Sequence, residues 1–141
     1  MRISEVMTER VRYVDPDAPL TKIAAEMRDN DFGAVPVAEE ERLIGMVTDR
    51  DIVVRGIAQG LDLNATARQV MSANVLYCFE DDSIEDVLKN MGANQVRRLP
   101  VINRAKRLVG VVSLGDLSKA AGQSPAGGAL KKISQPGEHE Q

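Results

Sequence analysis

Tryptophan is absent, and two tyrosines and two phenylalanines make up the whole 3% aromatic content of the 141 residues. An apolar interior therefore has to be assembled from Val, Ile, Leu, Met and Ala, and Met7, Met27, Met46, Met71 and Met91 read as gap-fillers within it. One cysteine, Cys78, excludes an internal disulfide and a Cys-x-x-Cys metal site. In the run Val75-Leu76-Tyr77-Cys78-Phe79 it reads as a small core residue. The one histidine, His139, stands near the C-terminus away from any Cys or Asp cluster, so no metal set or general base is built on it. A basic excess is missing too. The net charge is −3 and the Lys131-Lys132 pair is too short for a basic patch, so no nucleic-acid partner is expected. No run approaches the about 18 apolar residues of a membrane span. Met1-Arg2-Ile3-Ser4-Glu5 lacks the apolar stretch of a secretory leader, so the expectation is a soluble cytoplasmic protein with no membrane partner.

What the chain does contain is an internal repeat. At an offset of 64, Val6-Met7-Thr8 returns as Val70-Met71-Ser72, Met27 as Met91, and Val35-Pro36-Val37 as Leu99-Pro100-Val101. One inserted residue shifts the offset to 65, where Leu43-Ile44-Gly45-Met46-Val47-Thr48 matches Leu108-Val109-Gly110-Val111-Val112-Ser113 and Asp51 matches Asp116. Copies this small do not bury an apolar face alone, so they are expected to stack and leave a cleft. The boundaries read as 1–60 for the first copy, 61–66 for a linker and 67–121 for the second; residues 122–141 lose periodicity and read as a disordered tail.

Each copy reads as strand, helix, strand, strand, helix. Val11 to Val14 is a short strand candidate before the turn Asp15-Pro16-Asp17, and Pro19 suits the first position of a helix. Leu20, Ile23, Ala24 and Met27 then form one apolar stripe, repeated by Ile84, Val87, Leu88 and Met91 behind an expected Asp82 N-cap. The strand pairs are expected at Ala34 to Val37 with Leu43 to Thr48, and at Arg98 to Ile102 with Leu108 to Ser113. Gly45 and Gly110 interrupt them at matching places, which points to a close backbone approach. Thr66-Ala67-Arg68-Gln69 has the spacing of a capping box.

Chemistry concentrates where an apolar strand gives way to a helix. Thr48-Asp49-Arg50-Asp51 and Ser113-Leu114-Gly115-Asp116 both set a hydroxyl three residues before a carboxylate. A helix N-terminus suits phosphate, the hydroxyl can donate to a phosphate oxygen, and the aspartate can accept from a ribose diol. The same spacing also makes a capping box, and the two readings are compatible.

The combination of two V-M-[TS] starts, two h-P-V strands and two G-h-h-[TS]-x-x-D ends resembles a pair of cystathionine β-synthase (CBS) domains, the Bateman module, over residues 1–121. Thr48-Asp49-Arg50-Asp51-Ile52 is especially similar to small bacterial stand-alone CBS-pair proteins. The resemblance implies an α+β fold of two tandem β-α-β-β-α units with pseudo-twofold symmetry, modules that pair as homodimers, and adenosine-containing ligands in the clefts between units. It implies that Asp51 and Asp116 hold ribose hydroxyls and that Thr48 and Ser113 touch phosphate or ribose. The main chain before and at each proline (Ala34, Val35, Pro36; Arg98, Leu99, Pro100) would face adenine. Arg97 and Arg98 in the second copy replace Gly33 and Ala34 of the first. In relatives basic residues there reach phosphates, so unequal sites are expected, with Arg50 and Arg55 as further basic candidates.

The function expected is a regulatory sensor of adenine nucleotides acting on an unidentified protein partner. AMP, ADP or ATP are the favoured ligands, with NAD(H) and S-adenosylmethionine behind them, and no cofactor is required. A ligand-free interaction scaffold is the alternative. With no nucleophile–base motif, P-loop or metal cluster in the sequence, an enzyme is not expected.

Overall fold

In the computed structural model, which describes residues 1–122, mixed helices and strands form two compact units that cut across the sequence repeats. One unit is contiguous, Arg12–Val75; the other is composite, joining Met1–Val11 to the described residues from Leu76 on. Apart from Gly122, the expected tail, with Lys131, Lys132 and His139, lies outside the described residues.

The contiguous unit begins with the expected turn, where the Asp17 N–H donates to Asp15 Oδ1 at 2.9 Å. The strand expected at Val11 to Val14 shrinks to a single parallel bridge between Val14 and Val37. Pro16 follows within two residues and the chain passes from one unit to the other at Val11/Arg12, so little length is left to pair. Helix α1, Leu20–Asn30, buries Leu20, Ile23 and Met27 along the expected stripe. Pro19 is its N-cap rather than its first helical residue. Having no side-chain oxygen, Pro19 leaves the Leu20 and Thr21 N–H groups to the carbonyls of Ala65 and Leu63, at 2.9 and 3.4 Å.

Strands β1, Ala34–Glu39, and β2, Arg42–Thr48, pair antiparallel. Val35, Val37 and Val47 point from them into the core. Helix α2, Asp49–Asp51, runs straight into a π-helical turn, Ile52–Ile57. There Val53, Val54 and Ile57 stay exposed. The short helix α3, Ala67–Val70, opens with the Thr66 N–H donating to Gln69 Oε1 at 2.8 Å, as the capping-box spacing expects.

In the composite unit a 3₁₀ turn at Ile3–Glu5 buries Ile3 completely. That burial is worth roughly 1.5–3 kcal/mol. Strand β3, Cys78–Phe79, lies parallel to β4, Arg98–Ile102, which pairs antiparallel with β5, Leu108–Ser113. Helix α4, Ile84–Asn94, buries Ile84, Val87, Leu88 and Met91. Its N-cap is Ser83, whose Oγ accepts from the Asp86 N–H at 3.2 Å. Asp82, the residue expected there, instead accepts from the Phe79 N–H at 2.9 Å and closes the turn after β3. Helix α5, Leu114–Ala121, buries Leu114 and Leu117.

The two strand glycines explain how each unit takes in a segment of the other sequence copy. A Cβ on Gly110 would lie 2.8 Å from both Met7 Sδ and the Thr8 carbonyl oxygen; one on Gly45 would lie 2.5 Å from Met71 Sδ and 3.1 Å from the Ser72 carbonyl oxygen. Each glycine leaves room for a V-M-[TS] segment, and each segment belongs to the other sequence copy. Antiparallel bridges Thr8–Val111 and Met46–Ser72 fasten the two segments to β5 and β2.

Candidate functional site at the strand-to-helix junctions

The same junction is built once in each unit. In the contiguous unit the Thr48 N–H donates to Asp51 Oδ2 at 2.9 Å, and the Asp51 N–H donates to Thr48 Oγ1 at 3.0 Å. In the composite unit the Ser113 N–H donates to Asp116 Oδ2 at 3.2 Å, and the Asp116 N–H donates to Ser113 Oγ at 3.1 Å. Both are reciprocal capping boxes, so the structural role read from the S/T-x-x-D spacing is present in both copies.

Strand pairing brings the other singled-out residues alongside. Ala34 pairs with Thr48 across β1 and β2, and Arg98 pairs with Ser113 across β4 and β5. One residue further out, the Asp49 N–H donates to the Gly33 carbonyl at 2.9 Å and the Leu114 N–H to the Arg97 carbonyl at 2.8 Å. Each strand start is thereby stapled to the helix start that follows the neighbouring strand. Val35 and Leu99 are buried, which turns their side chains into the cores and leaves only main chain to face outward. Pro36 is half-buried and its carbonyl already accepts from the Val14 N–H at 2.9 Å; Pro100 is buried.

The junctions differ in charge. The second oxygen of Asp51, Oδ1, lies 3.7 Å from Arg55 Nε, and Arg55 also donates to the Met71 carbonyl at 3.1 Å. Position 120, the counterpart of Arg55, is alanine, so no arginine stands four residues after Asp116. Arg98 is exposed and Arg97 half-buried, with its Nε shielded from solvent. Arg50 is exposed beside Asp49, whose Oδ1 accepts its N–H at 2.8 Å.

Sequence reasoning passed over Asp49. Its Oδ2 lies 3.2 Å from where a Gly33 Cβ would stand, so its carboxylate sits at the position that Arg97 fills in the other copy. The signal was available: Asp49 aligns with Leu114 and Gly33 with Arg97, a double exchange of charge at contacting positions.

Among the described residues no group of three His, Cys, Asp or Glu side chains is placed to hold a metal ion. Cys78 is buried, and burial, helped by the nearby Asp82 charge, pushes its thiol up to about 12, far from nucleophilic use. Among the same residues no helix is long and apolar enough to cross a membrane.

Known proteins resemble this chain in sequence and in fold. The CBS domain model matches residues 3–56 and 67–122. The chain is 38% identical over 138 residues to the CBS domain-containing protein YhcV of Bacillus subtilis, covering 97% of this chain and 98% of that one. It is similar to the crystal structure of Hypoxic Response Protein I with two coordinated zinc ions, at a TM-score of 0.75 and 40% identity over 85% of this chain and 98% of that one. It also shares its fold with the crystal structure of CBSX2 in complex with AMP, at a TM-score of 0.73 and 21% identity over 85% of this chain and 95% of that one. Two matched stretches, together spanning most of its length, make this chain a member of the CBS domain family, carrying the domain as a tandem pair.

Proposed function

We propose that this chain is a regulatory module that binds an adenosine-containing ligand, with Asp51 and Asp116 on ribose, Thr48 and Ser113 on ribose or phosphate, and the main chain of Ala34-Val35-Pro36 and Arg98-Leu99-Pro100 beside adenine. One observation carries the reading: each junction keeps a hydroxyl, a carboxylate and a strand start together, while the capping box occupies only Oδ2 of each carboxylate. The other oxygen, Oδ1, which in Asp51 also faces Arg55 Nε at 3.7 Å, is the atom a ribose diol needs. That the fold holds AMP in CBSX2 supports the ligand class.

Binding that differs between two conformations would shift their populations and so inform a protein partner. The role proposed is binding rather than catalysis. A homodimer is part of the proposal, and the exposed Val53, Val54 and Ile57 supply an apolar face for it. Light scattering at working concentration reads that directly.

The ligand reading is tested by thermal unfolding and titration calorimetry with AMP, ADP, ATP, NADH and S-adenosylmethionine. Ligand at 100 times its dissociation constant adds about 2.7 kcal/mol, a rise of a few degrees. Asp116→Asn and Asp51→Asn keep an acceptor for the box but weaken the hold on a diol. A ligand-induced rise that one of these variants abolishes supports the sensor. No rise with any compound favours the scaffold, in which the boxes serve only as helix caps.

A further inference from the structure

We infer that the two junctions sort adenosine ligands by charge: the composite unit takes a phosphate-bearing nucleotide, and Asp49 makes the contiguous unit select an adenosine compound without phosphate, neutral or cationic. The inference rests on the ligand reading above and names the ligand class of each half.

The argument starts from one scaffold built twice. The same main-chain hydrogen bond joins Asp49 to Gly33 and Leu114 to Arg97, so positions 33 and 97 are structurally equivalent, as are 49 and 114. In the composite unit that place carries Arg97 and Arg98 against a buried, uncharged Leu114. Arg98, exposed and paired with Ser113 across the strands, brings a cation suited to a phosphate, for which charge-assisted bonds are the strongest hydrogen bonds on offer.

In the contiguous unit both halves of that arrangement are reversed. Gly33 and Ala34 bring no charge, and Asp49 sets its Oδ2 over Gly33. Of the two arginines that follow, Arg50 is exposed beside Asp49, and Arg55 is turned to Asp51 and to the Met71 carbonyl. A phosphate entering here meets a carboxylate where the other unit presents arginine. A nucleoside, or one carrying a positive sulfonium, meets no such penalty. Asp49 is thus a specificity-determining residue.

Calorimetry on the full chain with AMP, adenosine and S-adenosylmethionine tests this, beside Asp49→Asn and Arg98→Gln. Both residues are exposed, and asparagine keeps the acceptor for the Arg50 N–H, so both variants are expected to fold; their unfolding midpoints check it. The expected result is one AMP site per chain, with adenosine or S-adenosylmethionine still binding when AMP is saturating. Asp49→Asn should create a second AMP site or tighten the weak one by roughly tenfold, and Arg98→Gln should weaken AMP by a similar factor while sparing adenosine. Two equal AMP sites in the unaltered chain, or an Asp49→Asn variant with unchanged AMP stoichiometry and affinity, overturns the sorting while leaving the ligand reading in place. Failure of all three compounds to bind overturns both together.

Discussion

Thr8 and Val111 exchange both of their main-chain hydrogen bonds, at 2.9 and 3.0 Å, directly beside Gly110. Met46 and Ser72 make the reciprocal pair at 3.0 and 2.9 Å beside Gly45. The V-M-[TS] segment that opens each sequence copy therefore completes the strand pair of the other.

That arrangement predicts unequal costs for two otherwise matched substitutions. At Gly110 an added methyl meets the Thr8 carbonyl at 2.8 Å, and backbone cannot step aside without loosening the bridge. At Gly45 the worst contact is the mobile end of Met71, with the Ser72 carbonyl further off at 3.1 Å. Gly110→Ala should cost about 1–3 kcal/mol, as overpacking does, and Gly45→Ala less. Urea unfolding midpoints of the two variants give the comparison.

Ile3, in the segment Met1–Val11, is fully buried in the core of the composite unit. Ile3→Ala should cost about 2–5 kcal/mol, the range for a truncated core side chain. An exposed neighbour such as Glu9→Ala should stay within about 0.5 kcal/mol. Equal, small effects from both would mean that the opening segment does not hold the unit together.

The Cys78 thiol gives a prediction in pH. Its folded value, about 12, lies above the ordinary 9.0. Above pH 9 the unfolded chain loses this proton while the folded one keeps it, so stability is fully present below that point and falls as pH rises toward about 12. The slope from this one group is up to about 1.4 kcal/mol per pH unit. Cys78→Ala should remove it, so the difference in unfolding free energy between the two proteins should narrow from pH 8 to pH 11. A constant difference would contradict the assignment.

The boxes make a prediction independent of any ligand. Ser113→Ala removes the acceptor for the Asp116 N–H and should cost about 1 kcal/mol, whereas Ser113→Thr keeps it and should cost much less. Thr48→Ala and Thr48→Ser should behave the same way in the other unit.

Much of this molecule could be read without coordinates because the repeat doubled every local signal. The stripes of α1 and α4, the four paired strands and both hydroxyl–carboxylate boxes lie where spacing put them. Self-similarity says which segments are alike, though, and is silent on which copy each packs against; the exchange of Val6-Met7-Thr8 with Val70-Met71-Ser72 has no trace in the pattern. The Asp82 and Ser83 exchange was lost for a different reason. Both residue types cap helices, and only the Phe79 N–H competing for Asp82 decides between them. Asp49 was not legible because only the contact between positions 33 and 49 links its charge to the Gly33/Arg97 difference.

The split composition of one unit also sets an order of events during synthesis. Residues 12–75 hold one complete unit and can close as soon as they leave the ribosome. The eleven residues made before them cannot, since the β5 strand that receives Thr8 ends at Ser113. At ordinary translation speeds the first segment waits on the order of ten seconds for its partner, with Ile3 uncovered. A nascent chain stalled before β5 should therefore present that segment to chaperones and proteases, and releasing the last strand should withdraw it.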